Sequence, residues 1–185
     1  MIGPEPIRFG EVVLLVCAIL WAVCISAAAI CEGQEGIREV LPAGQWTPEA
    51  HHRLAKAMVG EGGLRSHADW AMVAHVLARR WYLVGPRNGW TFAELTQRYT
   101  MLKNDTPWSR KINALPWGPV PEWPGWEQAL VFAWRWQQGW VPDPCPEADH
   151  WHGRVPTRKA IENVKRGQWR RLECGTLHNV PYAEE

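Results

Sequence analysis

The pattern of apolar positions in the centre of the chain predicts two consecutive helices separated by a glycine break. Leu54, Ala57 and Met58 lie three and four residues apart, which is the spacing of one helix face. Gly62 and Gly63 follow and predict the end of that helix. A second stripe comes after the break, at Met72, Val73, Val76 and Leu77. The segment 54–81 therefore predicts a helical pair at the centre of the fold.

The same periodicity and the usual capping residues predict further elements on both sides of this pair. Thr47 and Pro48 mark the start of the first helix, and Thr91 begins another over 92–99. Two more helices are predicted, over 125–138 and 157–166. The fourth helix, 125–138, presents one apolar face, made of Trp126, Ala129, Leu130, Ala133 and Trp134. The fold class is therefore mainly α.

Two remaining stretches carry weaker signals. Residues 106–124 are rich in Pro and Trp and predict a loop. Residues 169–182 have strand character with a turn at Gly175, so a small β element near the C-terminus completes the prediction.

The N-terminal part has a different pattern, an uncharged apolar run of 19 residues over 12–30. Signal-peptide cores have roughly 7 to 15 apolar residues and a bilayer span needs about 20. This comparison favours a transmembrane anchor over 1–31, although Ala27 and Ala29 also fit a signal cleavage site. A Gly-rich linker over 32–46 and one domain over 47–185 follow. Either reading places that domain outside the membrane, facing the periplasm or the cell wall.

Composition excludes one class of partner and favours another. A net charge of +1 leaves no basic footprint for nucleic acid. The chain has 14 Trp residues, which is an unusual number. A Trp side chain packs well in a core, but its flat face can also stack on a sugar ring. Most of them are expected in the core and a few in a carbohydrate-binding groove.

Glu61 is the leading candidate for catalysis. It comes three residues after Met58, on the apolar stripe of the first helix. A carboxylate on a core-facing stripe loses water, and desolvation raises its pKa toward the range in which the acid can donate a proton at neutral pH. An isolated acid on an apolar face therefore predicts a general acid/base.

Cys145 and Cys174 flank the last quarter of the domain. In an exported domain such a pair most simply forms a disulfide, which would stabilise the fold by roughly 3 kcal/mol. Free or metal-bound thiols are the alternative.

Three segments, in the same order, resemble the cell-wall hydrolase family that includes the spore-cortex-lytic transglycosylases. The family has a catalytic Glu followed by a helix of the type AVAxVxxNR, and MVAHVLARR over 72–80 places Glu61 on that Glu. ADHW over 148–151 resembles the small-Thr-His-aromatic segment, and GTLHNVPY over 175–182 resembles the terminal Gly-x-His-x-aromatic motif. The chain departs from the family at two positions. It has Arg65 where the family has a second acid, and Arg79 where the family helix has Asn.

The resemblance implies a lysozyme-like domain that cleaves the MurNAc-GlcNAc bond of peptidoglycan strands. Glu61 would act as general acid/base without a metal or other cofactor. A single acid suits a lytic transglycosylase, in which the 6-hydroxyl of the substrate closes on the anomeric carbon, whereas a hydrolase needs a second carboxylate. The groove around Glu61 would contain Tyr99, His150, Trp151, His178 and Tyr182.

Two alternatives stay open at this stage. Glu147, His150 and His152 resemble part of a zinc D,D-peptidase site, for which His67 and Asp69 are the upstream ligand candidates. The other alternative is a catalytically inactive module that binds the cell wall. The absence of a clear second carboxylate and the Arg at position 65 favour that reading.

Overall fold

A computed structural model describes residues 40–64, 66–153, 157–175 and 179–184, which form a mainly helical domain with one small sheet. The predicted anchor over 12–30, as well as Arg65 and His178, lies outside the described residues. Within the described ranges, no helix is both long and apolar enough to cross a membrane.

The predicted helices are confirmed, and one further helix is present. Both helices of the central pair form, the break between them falls at Gly63, and the helix over 92–99 has the predicted bounds. The six helices in the described part of the chain are α1 Pro48–Gly62, α2 His67–Asn88, α3 Phe92–Tyr99, α4 Pro107–Asn113, α5 Trp126–Gln137 and α6 Arg158–Lys165.

Helix α1 lies at the centre of the domain. The Thr47 side chain accepts a hydrogen bond from the Ala50 amide, and Pro48 occupies the first turn, where no helical donor is needed. Leu54, Ala57 and Met58 are fully buried against α2, α3, α4 and α5. The helix ends where Gly63 adopts a φ of 74°, a backbone conformation that favours glycine.

Helix α2 is longer than the sequence predicts, because it continues beyond Trp81 to Asn88. Pro86 does not interrupt it, because this residue lies in the last turn, where its missing N–H removes only one helical bond. The indole of Trp81 donates to the Trp90 carbonyl at 2.9 Å and joins the end of α2 to the segment that follows.

Helix α4 occupies part of 106–124, where the sequence predicts a loop. Thr106 and Ser109 form a reciprocal capping box, and Pro107 begins the helix. The helix has only seven residues, and its apolar pattern is too short to stand out among the surrounding prolines and tryptophans.

The buried face of α5 differs from the predicted one at a single position. Four of the expected residues are buried, but Trp134 is 44% exposed and packs edge to face on Trp140. Trp136 and Gln137 extend the buried face instead, and this leaves Trp134 at its margin. Trp134 comes four residues after Leu130, a spacing that fits both the apolar stripe and its edge. The sequence alone therefore placed Trp134 on the buried face.

The sheet consists of β1 His150–Gly153, β2 Trp169–Arg171 and β3 Asn179–Glu184, with β3 in the middle and both pairings antiparallel. The predicted strand region yields β2 and β3. Strand β1 was not predicted, because it is only four residues long. Its register pairs Trp151 with Pro181, so its side chains lie close to those of the C-terminal segment.

The packed domain includes residues 40–46, which the sequence assigned to the linker. Leu41 is fully buried, and both its N–H and its carbonyl are bonded to the Gln137 side chain, at 3.2 and 2.9 Å. Gln137 is itself buried, so these bonds satisfy a polar group that would otherwise be costly inside the core.

Arg79 fastens the segment before β1 to α2. Its guanidinium donates to the carbonyls of Ala148, at 2.5 Å, and Cys145, at 3.0 Å, and it also pairs with Asp143. The family helix that the sequence resembles has Asn at this position. The longer Arg has enough donors to bond the carbonyls of two buried residues and an acidic side chain at once.

Cys145 and Cys174 lie at disulfide distance, with their Cα atoms 5.5 Å apart, as the sequence predicts. Cys145 is fully buried and precedes β1, whereas Cys174 follows β2. The bond therefore joins the segment before β1 to the segment between β2 and β3.

Reduction of this bond is expected to lower the free energy of unfolding by about 2–4 kcal/mol, because it closes a loop between residues 29 apart. Thermal unfolding with and without reductant measures the effect. The Cys145→Ser/Cys174→Ser double variant is the control, since its unfolding should not respond to reductant. Five reactive thiols in the oxidised full chain, in place of the three that lie outside this pair, would contradict the prediction.

Candidate active site

Glu61 is held at the end of α1 by the backbone of a neighbouring turn. Its Oε1 accepts a hydrogen bond from the Met101 amide at 2.6 Å. Met101 opens a 3-10 turn, Met101–Lys103, which Thr100 caps by accepting from the Leu102 amide. Gly60 permits this close approach, because a Cβ there would lie 2.8 Å from the Met101 sulfur.

Strand β1 supplies the second contact to the acid. The Trp151 indole donates toward Glu61 Oε2 at 3.5 Å, a long bond. The residues on either side of it, His150 and His152, pack on the rings of Trp169 and Tyr182. Because side chains alternate along a strand, Trp151 and the two histidines start from opposite faces of the sheet.

The environment raises the pKa of Glu61. Burial is the largest cause, because it disfavours the ionised carboxylate. The Met101 amide, the Trp151 indole and the charge of Lys103 act in the opposite direction and favour ionisation. Burial prevails, so the protonated acid persists to a higher pH than that of a solvated glutamate.

Glu61 opens onto a cleft of about 430 Å³. Four of the predicted site residues line it together, Glu61, Tyr99, His150 and Trp151. One wall comes from α1, α3 and the 3-10 turn, and the other from β1. The lining also includes residues that the sequence did not assign to the groove around Glu61, Leu77, Arg80, Thr100, Met101, Lys103, Asn104, Asp149, His152 and Thr157.

Asp149 brings a second carboxylate to the cleft, but both of its oxygens are engaged. Oδ1 lies 2.5 Å from His150 Nδ1, and Oδ2 accepts from the Glu184 amide at 3.1 Å. The far nitrogen of His150 lies 3.3 Å from the Glu184 carboxylate. These bonds fix the orientation of His150 and leave Asp149 poorly placed to attack a sugar carbon.

The other predicted groove residues differ in position. Tyr99 lies at the cleft under the Arg80 guanidinium, 5.2 Å from its ring centre, a cation–π contact. Tyr182 is only 4% exposed, packs against Trp169 and does not line the cleft, so it supports the wall from behind. His178 lies outside the described residues.

The residues of the zinc alternative do not form one group. Glu147 pairs with Arg170 at 2.7 Å and lines a separate surface pocket. His67 lines another pocket and packs on Trp70. Asp69 is buried and accepts a hydrogen bond from the side-chain amide of Asn179 at 2.8 Å. In the ranges that the structure describes, no three His, Cys, Asp or Glu side chains come together as a metal site.

Of the residues that sequence reasoning missed, only some carried a usable signal. Asp149 belongs to the ADHW segment and could have been noted with its neighbours. Met101 contributes its backbone amide, which no side-chain pattern reveals. Arg80 and Lys103 lie on opposite sides of α3 in the sequence, and only the fold brings them to one cleft.

Comparison with family models, with curated protein sequences and with solved structures gives no match for this chain. The resemblance to the cell-wall hydrolases stays a prediction from the sequence.

Replacement of Trp151 by Phe is expected to raise the pKa of Glu61, because it removes a donor that favours the carboxylate. Glu61 would then lose its proton only at higher pH. For a reaction in which Glu61 acts as the acid, the alkaline limb of the rate–pH profile should therefore move to higher pH. Trp140→Phe, at an exposed position outside the cleft lining, is the matched control. An unchanged limb in a folded Trp151→Phe variant would contradict the prediction.

Proposed function

We propose that this chain is a peptidoglycan lytic transglycosylase, in which Glu61 is the general acid/base that cleaves the MurNAc-GlcNAc bond. The lysozyme-like character of the helical domain and its placement outside the membrane, anchored or secreted, belong to the same proposal. The observation that carries it is the state of Glu61, a partly buried carboxyl with a raised pKa that faces an open cleft. Such a group can hold a proton at the pH at which the reaction takes place.

In the first step the Glu61 carboxyl donates its proton to the glycosidic oxygen while the bond from this oxygen to C1 of MurNAc breaks. The departing GlcNAc keeps the bonding electrons and leaves as an alcohol. In the second step the Glu61 carboxylate accepts the proton of the MurNAc 6-hydroxyl as that oxygen bonds to C1. The products are a 1,6-anhydro end and a regenerated acid.

The two donors on Glu61 suit this change of role. A general acid needs its proton before the bond breaks, and burial retains it. Once the proton has left, the Met101 amide and the Trp151 indole stabilise the carboxylate until it takes up the next proton. The acid therefore has partners suited to both of its protonation states.

Two cations in the cleft lining suit an anionic polymer. MurNAc carries a lactyl group that ends in a carboxylate or a peptide, and peptidoglycan stems are acidic. Lys103 and Arg80 line the cleft, and Lys103 is exposed to solvent. Cations near a cleft raise the local concentration of an anionic substrate.

A two-carboxylate hydrolase is the second candidate, because Asp149 also lines the cleft. The two mechanisms differ in their products, since a hydrolase releases a reducing end and a transglycosylase a 1,6-anhydro end. The bonds that Asp149 makes to His150 and to the Glu184 amide favour the transglycosylase. Mass spectrometry of muropeptides released from purified sacculi distinguishes the two products.

Glu61→Gln is expected to reduce glycan cleavage by about 10²- to 10⁴-fold, because the amide has no proton to give. Muropeptide release is the measurement, with Glu127→Gln, an exposed residue of α5, as control. A rate close to that of the wild type would remove Glu61 from the mechanism.

Glu61→Gln is also expected to change how the stability of the fold depends on pH. A raised carboxyl pKa contributes stability at low pH that is lost as the pH rises through that pKa, because the buried group then ionises. Glu61→Gln should therefore match the wild type at low pH and be slightly more stable at neutral pH. Thermal unfolding at both pH values tests this, and a large loss of stability at either would make Glu61 structural.

Chelation separates this proposal from the zinc peptidase. EDTA is expected to leave glycan cleavage unchanged, because the proposed steps use only Glu61. Metal analysis of the purified chain, alone and as His152→Ala, completes the test. About one zinc per chain that is lost in His152→Ala would favour the peptidase.

A further inference from the structure

Trp108 lies beside the acid but outside the steps described above. It is the second residue of α4, and its indole nitrogen donates to the Gly60 carbonyl at 3.3 Å. Gly60 immediately precedes Glu61. The next residue of α4, Ser109, donates to the carbonyl of Asn104, at 2.6 Å, and Asn104 lines the cleft. The indole is therefore bonded to the residue before Glu61, and the residue after Trp108 is bonded to Asn104 of the cleft lining.

The ring of Trp108 has a rigid backing. Trp123 stacks on it with ring centres 5.4 Å apart and planes inclined by 25°. Trp123 is half-buried and packs against the main core. Trp108 itself is 42% exposed, so one face rests on Trp123 while part of the ring is open to solvent.

The other exposed tryptophans have different surroundings. Trp134, in α5, and Trp140, just after it, pack edge to face on each other. Trp117 stacks on His52, at 4.6 Å, earlier in α1. Among the exposed tryptophans of the described residues, Trp108 is the one whose indole is bonded next to Glu61.

We propose that Trp108, supported by Trp123, is a stacking platform for a sugar ring of the glycan strand, beyond the pair of sugars that flanks the cleaved bond. The inference rests on the proposed function and adds a binding position to it. The apolar C–H face of a pyranose matches the flat face of an indole. Because the ring is already fixed by its bond to Gly60 and by Trp123, little side-chain freedom is lost on binding.

The test uses the full chain in mild detergent, as Glu61→Gln to prevent cleavage, with MurNAc-GlcNAc disaccharide and hexasaccharide as probes. Trp108→Ala is expected to weaken binding of the hexasaccharide by roughly fivefold to tenfold and to leave the weak disaccharide affinity unchanged. Trp134→Ala, at a tryptophan of similar exposure, should change neither affinity. Equal hexasaccharide affinity with and without Trp108 would overturn the platform.

A second measurement requires no substitution at Trp108. Mild oxidation of the Glu61→Gln chain, read by peptide mass spectrometry, should modify Trp108 and Trp134 alike in the absence of sugar. Hexasaccharide is expected to protect Trp108 and not Trp134. Equal oxidation of Trp108 with and without saturating hexasaccharide would overturn the platform even if Trp108→Ala fails to fold.

The two proposals fail in distinguishable ways. If Glu61 is required for cleavage but Trp108 affects neither binding nor oxidation, the platform is wrong and the transglycosylase stands. If the hexasaccharide binds through Trp108 but the wild-type chain releases no muropeptides, the platform stands in a module that binds glycan without cleaving it.

Discussion

The hydrogen bond from the Met101 amide to Glu61 is the contact on which the rest of the cleft depends. It joins the end of the central helix to the turn after α3, across 40 positions of sequence. The bond offsets part of the cost of placing a carboxylate where burial raises its pKa. Gly60 leaves room for the Met101 side chain beside it, so that α1 and the turn approach each other closely at this point.

The sequence predicts the elements of this fold better than it predicts their contacts. Helices α1 and α3 have clear caps, and Gly63 marks a boundary that periodicity alone would miss. The prediction fell short where a helix continues beyond its apolar stripe, as α2 does after Trp81, or where an element is too short to show a period, as in α4 and β1. Tertiary contacts decide such cases, and a single sequence does not contain them in readable form.

The same distinction applies to the candidate site. Glu61 could be found because an acid on an apolar stripe is a local anomaly, and His150 and Trp151 because they belong to a short motif that resembles a known family. The Met101 amide and Arg80 could not be found in this way, since their proximity to Glu61 arises only on folding. Tyr182 is the reverse case. It belongs to a matched motif, but it is buried behind the cleft wall and does not line the cleft.

The two walls of the cleft are far apart in the chain, and this separation has a consequence for the order of events during folding. Trp151 contacts Glu61 across 90 positions, whereas α1, α2 and α3 also pack on one another. Contacts between distant segments are costly to close and tend to form late. In a chain synthesised N-terminus first, the β1 wall would therefore close over Glu61 after the helices have packed, once the Arg79 bonds and the Cys145–Cys174 pair bring β1 into place. The cleft is thus completed at the end of folding, so an incompletely assembled chain contains Glu61 without the wall that faces it.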